Sequence, residues 1–150
     1  MILIRNTQRK IKVNIEQLKQ DIQTILDHLD YPDFDVGLML TTNFMIRRYN
    51  YEYRHKDKPT DILSFPCHTR LKAGQRIKVV DDWDKNLGDM IISLEYVAKD
   101  AKKYDTTFES HLKTLLVHGI CHLLGYDHIT DKEYKQMHKK ETELLKILTQ

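Results

Sequence analysis

Three histidines in the last third of the chain have the spacing of ligands for one metal ion. His118 and His122 are four residues apart, and His128 follows six residues later. On a helix, positions i and i+4 lie on the same face, so the first two imidazoles can bind one ion. Gly125 can adopt the positive φ that turns the chain sharply after a helix, which would bring His128 back to the other two. Three neutral imidazoles with a fourth position left for water are the ligand set of a catalytic zinc site.

The spacing of these histidines is similar to that of the metzincin proteases, with one difference. In those enzymes the residue after the first histidine is the glutamate that acts as general base, whereas here it is Gly119. A glycine cannot accept a proton, so the chemistry either uses another base or is not peptide hydrolysis. Asp127 and Asp89 are candidate bases, and Asp127 could equally orient an imidazole.

Cys121 is next to His122 but points away from the histidine face of the helix, so we expect it in the core rather than as a fourth ligand. Met137 could lie beneath the metal like the methionine of the metzincin turn, but its place on an amphipathic helix favours the core.

Composition indicates one globular domain over residues 1–150. The 24 basic and 22 acidic residues give a net charge of +2, which by itself indicates no nucleic-acid partner. Two cysteines are too few for a disulfide framework. No apolar run approaches the ~18 residues of a membrane helix, and Arg5 interrupts the N-terminal apolar segment before a signal-peptide core develops. We therefore expect a cytoplasmic protein without a membrane partner.

Hydrophobic periodicity predicts an α+β fold, with a mixed sheet of four or five strands packed against about five helices. Strands are expected at residues 2–5, 36–40, 61–65 and 90–92, with a candidate edge strand at 77–80. Helices are expected to begin after the capping residues Asn14, Thr42, Ser93, Thr107 and Thr130. Capping boxes are predicted for Asn14 with Gln17 and for Thr130 with Glu133. Residues 53–60 are expected to form a loop, and the metal site lies on a C-terminal helix and its following turn.

Three ordered segments of the chain are informative together: residues 49–66 (YNYEYRHKDKPTDILSFP), residues 87–93 (LGDMIIS) and the histidine segment 118–128 (HGICHLLGYDH). In this order they resemble the bacterial YbeY family of rRNA maturation factors. The chain departs from the family pattern at Tyr49, where a leucine is usual, and at Ile62, where valine is commoner. Neither departure touches a candidate metal ligand.

This resemblance implies a single-strand-specific, metal-dependent endoribonuclease. It implies that the enzyme matures ribosomal RNA, notably at the 3′ end of the small-subunit RNA, and contributes to ribosome quality control. It further implies that His118, His122 and His128 hold one Zn²⁺ per chain and that Arg54 is the important basic residue of the cleft. The implied partners are single-stranded RNA, rRNA and the small ribosomal subunit, with ribosomal or assembly proteins as further candidates and no DNA.

The residues themselves also favour RNA, although less specifically. Residues 45–58 hold five basic side chains against two acidic ones and interleave Tyr49, Tyr51 and Tyr53, which could stack on unpaired bases. A solvated helix face with buried tyrosines explains the same pattern. We expect the planar guanidinium of Arg54 to bind the phosphodiester and Asp127 to serve as base or as the partner of an imidazole.

Two other functions compete with a nuclease. The first is a metallopeptidase-like hydrolase, against which the missing glutamate argues. The second is a non-catalytic ribosome-assembly factor that contains zinc for structure alone.

Overall fold

The computed structural model describes residues 1–149 as an α+β fold of four strands and five α-helices, which confirms the predicted fold class. The strands are β1 (Ile2–Asn6), β2 (Asp35–Thr41), β3 (Ile62–Pro66) and β4 (Asn86–Ser93). The helices are α1 (Ile15–His28), α2 (Asn43–Arg54), α3 (Leu94–Lys103), α4 (Phe108–Leu123) and α5 (Asp131–Leu148).

The four strands form one mixed sheet in the order β1-β2-β4-β3. β1, β2 and β4 are parallel, and β3 pairs antiparallel with β4 at one edge, with Ile62 opposite Ile92. The candidate strand at 77–80 is wrong for the described part of the chain. Ile77 is instead buried in the core, and its backbone N–H donates to the Tyr31 hydroxyl at 3.0 Å. The buried Ile77 side chain therefore anchors the long segment between β3 and β4, which forms no strand.

The five predicted helix starts are confirmed by their caps. In each, the side-chain oxygen of the capping residue accepts a hydrogen bond from the backbone N–H three positions later: Asn14, Thr42, Ser93, Thr107 and Thr130. Thr130 and Glu133 form the predicted reciprocal box. Gln17 does not reach back to Asn14, because its side-chain amide donates to Asp21 one turn ahead at 2.9 Å.

Helix α2 is longer than predicted, and this changes the environment of Arg54. Tyr53 and Arg54 belong to the helix, so the loop predicted to begin at residue 53 begins at His55. His55 has a φ of +59°, the left-handed conformation that ends many helices. The Tyr49 and Tyr53 rings stack one turn apart, and Tyr53 meets the edge of Phe65 with ring centroids 5.2 Å apart. These aromatic contacts extend the helix to the cleft.

The sheet has a large core on one face and a smaller one on the other. The large core joins the sheet to α1, α3, α4 and α5 and includes both Cys121 and Met137, as predicted. The smaller core lies beneath α2, where Ile46 packs with Leu63 and Ile91. α4 and α2 thus approach the β3 edge from opposite faces of the sheet.

Among residues 1–149, no helix has the length and apolar character needed to cross a membrane.

Candidate metal centre

The structure brings the three predicted histidines together at the C-terminal end of α4. His118 and His122 lie on the last turns of this helix, and His128 lies in the turn that follows. One ring nitrogen from each histidine lies within 4.8 Å of the others. The group could therefore hold a metal ion.

Hydrogen bonds fix the orientation of the two helical imidazoles. Nδ1 of His118 lies 2.8 Å from Oε2 of Glu141 on α5, and Nδ1 of His122 lies 3.0 Å from the Tyr126 carbonyl oxygen. The Nε2 atoms of both rings are left to face each other at 3.1 Å. Burial, followed by the nearby His118, lowers the pKa of His122 and so favours its neutral, metal-binding form.

The chain turns at Gly125, as the sequence predicts. Gly125 has a φ of +92°, a conformation that other residues rarely adopt. A side chain would also not fit, because a Cβ added there would lie 2.4 Å from the Leu71 carbonyl oxygen. The Tyr126 N–H donates to the Cys121 carbonyl at 3.0 Å and closes the turn that returns His128 to α4.

Gly119 faces the sheet rather than the histidines. A Cβ added at this position would lie 2.6 Å from both Cδ1 of Ile62 and Sδ of Met90. The glycine lets α4 pack closely on β3 and β4, so a glutamate does not fit here without moving these elements. The position that carries the proteolytic base in the similar metzincin spacing therefore has no side chain in this chain, and it packs against the sheet.

The histidines lie in a cleft of about 880 Å³ that also contains Arg54, Lys56 and Lys58. The Arg54 guanidinium donates to the Ser64 carbonyl at 2.9 Å and lies 5.4 Å from the centroid of the Phe65 ring. One guanidinium nitrogen makes this bond, so other N–H donors of Arg54 are available to a ligand in the cleft. The helix extension described above is what carries Arg54 there.

The two candidate bases Asp127 and Asp89, and Asp61 at the start of β3, have different surroundings. Asp127 lines the cleft, and its carboxylate accepts the His128 backbone N–H at 2.8 Å. Asp89 packs over Gly37 and lines a separate cavity, so the structure does not bring this candidate base to the histidines. Asp61 accepts the Ile62 backbone N–H at 2.7 Å at the start of β3.

Glu141 is the member of this site that sequence reasoning missed. It lies one helical turn after Met137, a residue assigned to the core from sequence, and that spacing could have indicated a carboxylate facing inward. Its contact with His118 spans 23 positions along the chain, so only the packing of α5 on α4 reveals it.

Together, a mixed sheet, a helix with two histidines and a sharp turn with the third define a protein whose three-histidine group could hold a metal ion, in a cleft that also contains Arg54, Lys56 and Lys58. The family model for "Endoribonuclease YbeY" matches residues 3–149. The chain belongs to the YbeY endoribonuclease family. Membership supports a nuclease that hydrolyses RNA.

Individual relatives agree over nearly the whole chain. An endoribonuclease YbeY of Acetivibrio thermocellus is 40% identical, with 98% of this chain and 96% of the relative covered. The endoribonuclease YbeY of Homo sapiens is 37% identical, with coverage of 96% and 86%. A solution structure of a Thermotoga maritima protein has a TM-score of 0.68 and 28% identity, with coverage of 99% and 89%. The relatives therefore support the family assignment, and the solved structure supports the fold.

Proposed function

We propose that this chain is a single-strand-specific, zinc-dependent endoribonuclease of the cytoplasm. Its substrate is ribosomal RNA, its cleavage contributes to the 3′ end of the small-subunit RNA and to ribosome quality control, and the small ribosomal subunit is its partner. The observation that carries the proposal is the shared cleft, in which three imidazoles and the Arg54 guanidinium face the same space. Family membership supplies RNA as the substrate class.

The donor set fits zinc. Imidazole nitrogens are good zinc ligands, and three protein ligands with an open position are typical of catalytic zinc. Tetrahedral zinc with bonds of about 2.0–2.1 Å requires ligand nitrogens about 3.3 Å apart. The Nε2 atoms of His118 and His122 are 3.1 Å apart, close to that separation. Zinc bound by His118, His122 and His128 supplies Lewis acidity, which lowers the pKa of water and polarises a phosphoryl oxygen.

The protein's own residues bind and orient the RNA. Arg54 donates N–H groups to the phosphodiester oxygens, on which negative charge increases in the transition state. Lys56 and Lys58 line the same cleft and attract the phosphates on either side. Asp127 is the carboxylate of this cleft nearest to His128 in sequence, and we assign it the proton-accepting role.

The test compares metal content and RNA cleavage in the same preparations. Wild type should contain one zinc per chain and cleave an unstructured RNA oligonucleotide but not its duplex. His118→Ala/His122→Ala should lose both zinc and cleavage. Asp127→Asn should keep its zinc and cleave slowly, with the pH dependence of cleavage altered.

Three results would contradict the proposal. Zinc binding without any RNA cleavage would favour the non-catalytic assembly factor. Cleavage of denatured casein that stops on chelation and returns with zinc would favour the peptidase. Full zinc content in the double histidine variant would remove the metal assignment itself.

A further inference from the structure

A row of exposed side chains on α2 begins at the cleft and has no part in the proposed reaction beyond Arg54. Phe44, Arg47, Tyr51 and Arg54 are spaced by three or four positions, so they lie along one side of the helix. Arg48 is one turn from Phe44 and borders the same side. We call these five residues the α2 row. It leads away from the histidines toward the N-terminal end of α2.

The two aromatic rings of the α2 row are exposed to solvent. Phe44 is 70% exposed and Tyr51 is 61% exposed. They border a shallow depression of about 410 Å³ together with Arg47, Arg48, Glu52 and Asp57. The inward side of α2 already provides its packing through Ile46, so the exposed rings are available to a ligand.

The charges around these rings favour an anionic ligand. Arg47 is held in place by Asp57, with Nε–Oδ1 and Nη2–Oδ2 distances of 2.8 and 3.2 Å. Arg48 is exposed beside it, and residues 45–58 contain five cationic side chains against two carboxylates. Because these cationic groups outnumber both carboxylates, the segment that leads from the rings to the cleft attracts phosphate.

We propose that the α2 row is an extended subsite for single-stranded RNA outside the catalytic cleft. Two unpaired bases stack on Tyr51 and Phe44, and the phosphates that join them to the cleft lie beside Arg48 and Arg54. The rings are seven residues apart, or about 10 Å along the helix, so each can hold a base of its own. The inference rests on the proposed function, because the RNA must leave the cleft past Arg54.

A protein partner could also cover exposed aromatic rings, but the surrounding charges favour RNA. Stacking on aromatic rings beside a cationic track is the usual way in which proteins bind single strands without reading their sequence. The subsite should therefore increase affinity for long unpaired RNA regardless of which bases it contains.

The test measures binding and cleavage of two fluorescein-labelled RNAs, an unstructured 12-mer and a tetranucleotide that fills the cleft alone. Phe44→Ala/Tyr51→Ala should raise the Kd of the 12-mer by about tenfold or more and leave the KM of the tetranucleotide unchanged. Phe44→Tyr/Tyr51→Phe should keep wild-type affinity, since both rings remain. Thermal unfolding of each variant should match wild type because the replaced rings are exposed.

Tyr104→Ala is the matched control. Tyr104 is as exposed as Tyr51, at 61%, but it lies at the end of α3 beside the N-terminal turn of α4, away from the histidines. Its removal should leave the affinity for both RNAs unchanged.

The results separate this subsite from the proposed function. Loss of 12-mer affinity in the double alanine variant, with no cleavage of either RNA by wild type, would support the subsite and contradict the nuclease. Unchanged 12-mer affinity would overturn the subsite and leave the rings to a protein partner. An equal loss for both RNAs, or the same loss in Tyr104→Ala, would also overturn it. Failure of the wild type to bind the 12-mer would contradict both proposals.

Discussion

Among single residues, Glu141 is a carboxylate outside the ligand set that we expect to control metal affinity. Its Oε2 lies 2.8 Å from Nδ1 of His118 and holds the Nε2 atom toward the site. Loss of such a partner typically weakens metal binding by about 10–100-fold. Glu141→Ala should therefore raise the zinc Kd by that factor, and Glu141→Gln should raise it less because an amide oxygen still accepts the Nδ1–H. Competition with a chromogenic chelator measures this directly.

Glu143 provides a control on the same helix. Its Oε2 lies 2.9 Å from Nε2 of His28, so it makes a similar carboxylate–imidazole contact outside the cleft. Glu143→Ala should leave zinc affinity unchanged. If both variants bound zinc as tightly as wild type, the contact between Glu141 and His118 would have no role in holding the metal.

Arg54 is a second residue whose role in RNA cleavage can be separated from zinc binding and folding. It is exposed and makes a single hydrogen bond to the protein, so Arg54→Ala should change neither zinc content nor unfolding temperature appreciably. RNA cleavage should fall by about 10²–10³-fold, the usual effect of removing one electrostatic stabiliser. Arg54→Lys should restore only part of the rate because an ammonium group lacks the planar pair of donors. Unchanged cleavage, or loss of zinc, would make Arg54 a scaffold residue.

Among the elements, the contact between α4 and the β3 edge depends on the missing side chain of Gly119. An added methyl group would meet Ile62 and Met90 at 2.6 Å. Gly119→Ala should therefore destabilise the fold by about 1–3 kcal/mol, the range for overpacked cores, despite the better helix propensity of alanine. Urea unfolding checks this, with Thr114→Ala on the exposed side of α4 as a control that should change stability little. Equal stability of Gly119→Ala and wild type would show that the Ile62 and Met90 side chains can move aside at no cost in stability.

The elements also show which features can be predicted from sequence. All five helix starts were predictable because a capping side chain bonds to the backbone three residues away. The pairing of His118 with His122 was also predictable locally, because residues four apart lie on one face of a helix. The turn at Gly125 was predictable because glycine adopts positive φ freely. The end of α2 was not predictable from local sequence, because its last turn contacts Phe65 on β3. Three other features also depend on segments far apart in the chain: the lack of strand pairing at 77–80, the separation of Asp89 from the histidines, and the contact of Glu141 with His118.

Across the whole molecule, the candidate metal centre connects the last two helices with the turn between them. His118 and His122 belong to α4, His128 to the turn, and Glu141 brings in α5. A ligand that binds the folded chain alone stabilises it by about 2.7 kcal/mol when its free concentration is 100 times its Kd. For a domain of this size we expect zinc at that concentration to raise the unfolding temperature by about 5–10 °C, and a chelator to reverse the shift.

The different exposure of the two cysteines allows the stabilisation of the fold by zinc to be measured under native conditions. Cys67 is exposed, whereas Cys121 is fully buried beside the ligand His122. Burial raises the pKa of the Cys121 thiol far above its ordinary value, so the reactive thiolate is scarce as long as the chain stays folded. In a Cys67→Ser variant, iodoacetamide should therefore modify Cys121 only when the core opens.

Zinc should slow this reaction at Cys121 by about a hundredfold at 100 times its Kd, because opening must then follow metal release. In a Cys67→Ser/His118→Ala/His122→Ala variant, zinc should have no effect on the rate, since the ligands are gone. The modified fraction is followed by mass spectrometry at fixed iodoacetamide concentration. Rapid modification of Cys121 in the folded Cys67→Ser variant, or equal slowing by zinc with and without the two histidines, would show that the candidate metal centre and the core are not coupled.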